Sequence, residues 1–225
     1  MKLAVLLFGI SLNDNYRNWV RRRKREGIRQ MNVDYRKSLD NYKEYIFDYF
    51  KKKGYEIDIF FSTNIFANND DCNELIQTFN PVGFSFVRGS VDRVIARHTK
   101  IKSVIELCLN SKNEYDHILI TRFDLLFKKD FDSVNIDMDK FNSVTILEKS
   151  SCICDNFYIL PYKFLEKFND IVKKVKNGHL YKNLLDREIG KDNINYIDPF
   201  DESIPNPQRH IDNITFYKIV REIVK

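Results

Sequence analysis

Tyr115-Asp116-His117-Ile118-Leu119-Ile120-Thr121-Arg122-Phe123-Asp124-Leu125 is the stretch that orders the rest of the chain. His117 to Ile120 is an apolar run with the length and composition of a strand buried on both faces. The chain leaves it through Thr121, Arg122, Phe123 and Asp124 before Leu125 to Phe127 resumes. Side chains alternate along extended chain, so Arg122 and Asp124 are expected on one side, sharing one site. In an open parallel sheet, ligands bind outside the carboxyl ends of the strands. A cation and a carboxylate there suit a nucleoside diphosphate, Arg122 contacting phosphate oxygens bidentately and Asp124 holding a divalent metal through oxygen. The same two residues also make an ordinary ion pair that closes a strand end.

Upstream, Lys2 to Phe8 reads as a buried strand that opens the sheet, bounded by Gly9. Leu39, Tyr42, Ile46 and Tyr49/Phe50 recur at three- and four-residue intervals, which predicts an amphipathic helix between Tyr35 and Lys53, ended by Gly54 after its lysines. Glu56 to Thr63 is a second strand, Asn64 to Asn73 a polar loop, Cys72 to Phe79 a short helix, and Val82 to Val87 a third strand. From Ser90, a plausible N-cap, Val91, Val94/Ile95, His98, Ile101, Val104/Ile105 and Cys108 keep one face of a second long helix. It leads into the quoted strand.

Downstream, Ser143 to Leu147 and Cys152 to Leu160 are strand candidates. A helix follows from Tyr162 to Val175, with Pro161 suited to its first position, and another from about His179 to Ile189. Asn193 to Ile197 reads as a late strand, Pro199 to Pro207 as an ordered loop, and Asn213 to Val224 as a closing helix. Strands alternating with helices of ten or more residues argue for an α/β sandwich with a mostly parallel sheet. No repeat or low-complexity linker interrupts it, so residues 1–225 are expected to form one domain, with 13–35 a basic loop or lid and 198–225 a C-terminal loop and helix.

The chain has 225 residues, 43% hydrophobic and 14% aromatic, which excludes a disordered or collagen-like polymer. The longest apolar run, Leu3 to Phe8, falls far short of a membrane helix and is not followed by a cleavage-site pattern. A soluble, cytoplasmic protein is therefore expected. Cys72, Cys108, Cys152 and Cys154 include no CxxC pair, so neither a zinc site nor a disulfide framework is indicated. His98, His117, His179 and His210 are too dispersed for a metal motif, and His98 and His117 fall in elements where packing is their ordinary role.

The formal net charge of +5 is a mild bias toward anionic partners. Positive charge is concentrated from Arg17 to Arg29, beside Tyr16 and Trp19. That stretch admits three readings: a solvated face, a phosphate- or nucleic-acid-binding patch that uses charge and stacking, or a lid whose Arg17 or Arg21 approaches an anion.

Taken together, the opening strand ending in Gly9, the segment Asp58-Ile59-Phe60-Phe61-Ser62-Thr63, the long helix from Ser90 and the quoted stretch resemble the GT-A-type glycosyltransferases. More narrowly, they resemble the small GT-A-like sugar transferases of large DNA viruses and some bacteria, whose strand exit reads approximately Arg-x-Asp-Leu. The resemblance implies a GT-A-like, Rossmann-like α/β/α sandwich and a viral enzyme of glycan biosynthesis, placed in the host cytoplasm. It implies transfer of a sugar from a nucleoside-diphosphate donor, a UDP-sugar in the first instance, to a hydroxyl of a glycan or protein, usually with Mn2+ or Mg2+. By the same likeness Gly9, Ile10 and Ser11 line the nucleotide pocket, Thr63 and Arg17 join Arg122 around the diphosphate, and Asp124 matches the last carboxylate of the family's DxD motif. The first carboxylate of that motif falls on Arg122, which puts metal dependence in doubt. Asp155 is the acceptor-side carboxylate, the candidate general base, and also fits a turn or cap; His210 is a candidate late metal ligand.

Two other classes stay open. One is a degenerate transferase fold that binds nucleotide or glycan without turnover. The other is a nucleic-acid-binding module built on Arg17 to Arg29, although the rest of the chain is not basic and nucleic acid is not the expected partner.

Overall fold

The computed structural model describes residues 1–12, 30–65, 69–87, 93–145, 153–175, 182–197, 215–220 and 222–224. Its centre is β1 (Lys2–Phe8), flanked in parallel by β3 (Glu56–Asn64) and β5 (His117–Arg122), with Val5 beside Ile59 on one side and Leu119 on the other. β4 (Gly83–Val87) extends the sheet parallel to β3. On the other flank β8 (Ile153–Pro161) runs antiparallel to β5, then come β7 (Phe141–Thr145) and β9 (Ile194–Ile197). The order is β4-β3-β1-β5-β8-β7-β9, and only the two pairings made by β8 are antiparallel. This is the mostly parallel α/β sheet that the alternation of strands and helices predicts.

Leu3 to Phe8 are fully buried because β1 has a layer on each face. Leu3, Val5 and Leu7 meet Tyr42, Ile46 and Phe50 of the first helix, which runs as α1 (Arg36–Tyr42), a π stretch (Lys43–Asp48) and α2 (Tyr49–Lys52), and Leu75 and Phe79 of α3 (Asn69–Phe79). Ala4, Leu6 and Phe8 meet Ile101, Val104, Ile105 and Cys108 of α4 (Arg93–Asn110) and Leu165, Phe168 and Ile171 of α5 (Leu165–Lys174). Each such aliphatic or aromatic side chain contributes roughly 1.5–3 kcal/mol by leaving water. A strand that is apolar on both faces is stable only between two layers, so its composition already implies the sandwich.

The C-terminal segment overturns one expectation. Asn213 to Val224 contains no helix among its described residues; β10 (Tyr217–Ile219) pairs with β6 (Leu125–Phe127), and β11 (Glu222–Val224) pairs with β2 (Gln30–Asn32). Tyr217 is buried and Lys218 exposed, an alternation that three residues cannot distinguish from a helical pattern. Gln30 to Asn32 is correspondingly extended rather than loop or helix. Smaller differences are the earlier start of α3, at Asn69, and the position of Pro161, which ends β8 and precedes a 3₁₀ turn (Tyr162–Phe164) instead of opening α5. The helix expected at about His179 to Ile189 is α6 (Lys182–Leu185) followed by a π stretch (Asp186–Gly190). Cys72, Cys108 and Cys154 form no disulfide among the described residues. No described helix is long and apolar enough to cross a membrane.

Candidate active site at the strand exits

β1, β3 and β5 end side by side, and their exits are tied together. Gly9 follows β1 at φ +110°, a backbone that an L side chain adopts only with strain. Its N–H donates to Ser62 O (3.2 Å), while Phe123 N–H donates to Phe8 O (3.2 Å). Ser11 N–H donates to Thr63 Oγ1 (3.2 Å), and the two hydroxyls share a 2.8 Å hydrogen bond. Ser11 and Thr63 are fully buried, so they hold the turn in place and leave Gly9 and Ile10 half-buried at its outer side. Thr63→Val is expected to cost about 1–3 kcal/mol, because the Ser11 N–H and hydroxyl lose their partner. Urea denaturation and faster hydrogen exchange at the Ser11 amide are the measurements.

At the exit of β5 the structure brings Arg122 and Asp124 together, but by a turn and not by strand alternation. Arg122 is the last strand residue and follows Ile118 and Ile120 toward the α4/α5 layer. Phe123 is buried in the opposite layer, its ring 5.9 Å from that of Phe61 and 5.7 Å from that of Phe79. That anchor lets the chain turn at Phe123 and Asp124 so that the carboxylate swings back to the guanidinium. Arg122 Nε donates to Asp124 Oδ1 and Nη2 to Asp124 Oδ2, each at 2.6 Å, and Nη1 reaches Asn156 Oδ1 at 3.4 Å. The Asp124 side chain is 1% exposed and that of Arg122 12%. Tyr42 Oη donates to Arg122 O, and Val220 N–H donates to Asp124 O (2.7 Å), so α1 and the segment that follows β10 pin the turn. Burial and the nearby Asp124 carboxylate push the Tyr42 phenol well above its usual range, keeping it a neutral donor.

This donor set does not fit a divalent metal. Both Asp124 oxygens are engaged by a guanidinium that cancels their charge, and the neighbouring position of the motif is that guanidinium itself. Hard cations select several uncompensated oxygens. No group of three His, Cys, Asp or Glu side chains suited to a metal occurs among the described residues. His210 and Arg17, with the whole stretch from Arg17 to Arg29, lie outside the described residues. Asp155 lies in β8, next to Asn156, and its side chain is not among those described.

Two residues of this neighbourhood do not figure in the sequence reading. Asn156, 2% exposed, uses Oδ1 on Arg122 while its buried Nδ2 has no acceptor among the described residues. Lys100, 3% exposed, lies on α4 in line with Val104 and Cys108 of the buried stripe. Its Nζ donates to Ala96 O at 3.1 Å and has no carboxylate partner among the described residues. Burial, and secondarily the positive charge of Arg122, pushes its ammonium down to about 8. The sequence does carry a signal for it: Lys100, Val104 and Cys108 follow one another at i, i+4 and i+8, which puts a lysine on an apolar face. His98 and His117 are packing residues as expected, with His98 Nδ1 2.8 Å from Val175 O and His117 between Tyr55 Oη and Met138 O.

No family model and no curated protein sequence matches the chain. Solved structures do match it. A glycosyltransferase involved in glycosylation of the major capsid of the virus PBCV-1 aligns over 97% of this chain and 94% of its own, at 10% identity and a TM-score of 0.50. A nucleoside-diphosphate-sugar pyrophosphorylase from Vibrio cholerae aligns over 87% and 91%, at 11% identity and a TM-score of 0.47. A mutant Drosophila beta-1,4-galactosyltransferase 7, in complex with manganese, UDP-Gal and xylobiose, aligns over 98% and 71%, at 12% identity and a TM-score of 0.45. At these identities the likeness concerns architecture alone, and this chain has the GT-A-like α/β fold of the viral glycosyltransferase.

Proposed function

We propose that this protein is a glycosyltransferase that moves a sugar from a nucleoside-diphosphate donor, in the first instance a UDP-sugar, to a hydroxyl of a glycan or protein. The observation that carries the reading is the polar set at the exit of β5, where Arg122, Asp124 and Asn156 sit at the carboxyl ends of a GT-A-like sheet. Ligands of open α/β sheets bind there. In this reading the turn Gly9-Ile10-Ser11, held by Thr63, borders the nucleotide, and Arg122 faces the diphosphate. Asp124 holds the guanidinium in orientation from behind, as a carboxylate engaged on both oxygens does. Asp155, beside Asn156 in β8, is the carboxylate assigned to the acceptor hydroxyl.

The direct test is incubation with a panel of nucleotide sugars, reading donor hydrolysis and transfer to a mixed glycan acceptor set. The expected result is turnover of at least one donor. Asp155→Asn should lower transfer by roughly 10²–10⁴-fold, the range for a lost general base, while UDP affinity changes little. A protein that binds no nucleotide at millimolar concentration, with or without Mn2+, is not a nucleotide-sugar transferase. One that binds UDP without hydrolysis or transfer is the noncatalytic form of the fold.

A further inference from the structure

Lys100 is a buried ammonium with one backbone acceptor, Ala96 O, and no carboxylate partner among the described residues. A cation in that position is costly unless something negative completes it. Among the described residues the charged side chain that acts on it is Arg122, which is also positive and is paired with Asp124. Lys100 therefore adds a second cation beside the Arg122–Asp124 pair.

Asn156 supplies an independent observation. Because Arg122 Nη1 donates to its Oδ1, the amide is oriented with Nδ2 turned away from the guanidinium. Two buried donor groups on different elements, α4 and β8, thus lie near Arg122: among the described residues Lys100 Nζ has Ala96 O as its one acceptor, and Asn156 Nδ2 has none. Connectivity explains why they meet. α4 starts after β4 and returns to the start of β5, so its first half lies at the carboxyl ends of the parallel strands, where β5 delivers Arg122. The complement of these groups is an anion rich in acceptor oxygens.

We propose that Lys100, Arg122 and Asn156 form the receptor for the donor's diphosphate, and that this protein offsets the leaving-group charge with these side chains and without a divalent metal. The inference rests on the nucleotide-sugar reading above for the identity of the anion. It agrees with the poor fit of Asp124 to a metal.

Calorimetric titration of the full chain with inorganic pyrophosphate, UDP and uridine, in EDTA and then in Mn2+, tests it. Pyrophosphate and UDP are expected to bind in EDTA, with dissociation constants that Mn2+ changes less than about threefold. Lys100→Met, which keeps the length and apolar stem of the side chain, should weaken pyrophosphate and UDP by roughly 10–100-fold, the range of a lost charged hydrogen bond. Its affinity for uridine should not change, a split that a purely structural lysine would not produce. Its ligand-free melting temperature should equal or exceed that of the wild type, which shows that the variant is folded. Asn156→Ala, expected to weaken pyrophosphate by several-fold, is the parallel variant. If pyrophosphate and UDP bind only with Mn2+, and Lys100→Met binds them like the wild type, the metal-free receptor is wrong while the nucleotide-sugar reading stands. If pyrophosphate binds but UDP binds no tighter, the anion receptor stands and the nucleotide reading falls. If neither binds in either buffer, both fall.

Discussion

Asp124→Ala is expected to destabilise the protein by about 3–5 kcal/mol, the cost of removing one partner of a buried ion pair and leaving the other charge behind. The Asp124 side chain is 1% exposed and takes two 2.6 Å hydrogen bonds from Arg122, so nothing solvated replaces it when the carboxylate goes. The main-chain hydrogen bonds of the turn, Phe123 N–H to Phe8 O and Val220 N–H to Asp124 O, do not involve the carboxylate, so the loss falls on the buried Arg122. Urea unfolding followed by fluorescence measures the loss. Asp124→Asn should lose less, since an amide oxygen still accepts one of the two guanidinium hydrogen bonds. The measurement also separates two roles. A carboxylate kept for metal binding at a solvated site can be removed with little effect on stability. A change below about 1 kcal/mol would therefore show that the buried pair does not hold this turn.

Phe127→Ala is the second large effect, about 3–5 kcal/mol from lost burial and the cavity left behind. Phe127 is 3% exposed and stands among Phe131, Phe157 and Phe216, with ring centroids at 5.5, 5.9 and 5.4 Å. Such pairs add to area burial through their edge and offset contacts. Phe127 also sits opposite Tyr217 in the β6–β10 ladder, and Lys128 N–H donates to Phe216 O (2.9 Å). Its removal should therefore loosen β10 before the central sheet. Cys154 reports that step, since it is fully buried with its Sγ 2.8 Å from Tyr217 Oη. Reaction of Cys154 with a thiol reagent should become measurable in Phe127→Ala under conditions where the central sheet stays folded. If labelling stays at the wild-type rate while stability falls, the cluster is part of one cooperative core and β10 does not open alone.

The candidate site shows how far local pattern extends. Arg122 and Asp124 stand out because polar residues that leave an apolar run mark a strand exit, and they do meet. The alternation argument gives the right partners for the wrong geometry: Asp124 is past the strand, and the burial of Phe123 against Phe61 and Phe79 is what turns it back. The expectation that the carboxylate would be available to a metal does not anticipate that the arginine would engage both of its oxygens. Ser11 and Thr63 are recognisable as polar residues after strands, but that their hydroxyls close on one another depends on β1 and β3 being neighbours. Lys100 fits the 3.6-residue period, but Ile101 and Ile105 mark the apolar face without it.

The apolar runs of β1 and β5 and the stripes of the long helices set the alternation of strand and helix, and hence a buried, mostly parallel sheet between two helical layers, because burial on both faces leaves those segments no other stable place. The same local information could not assign Tyr217–Ile219 and Glu222–Val224 to strands, since their partners, β6 and β2, are far away in the sequence. Nor could it bring Lys100, Arg122 and Asn156 to one end of the sheet. A helix and two strands bring these residues to that end through strand order and the return path of α4, which are long-range properties that no window of sequence contains.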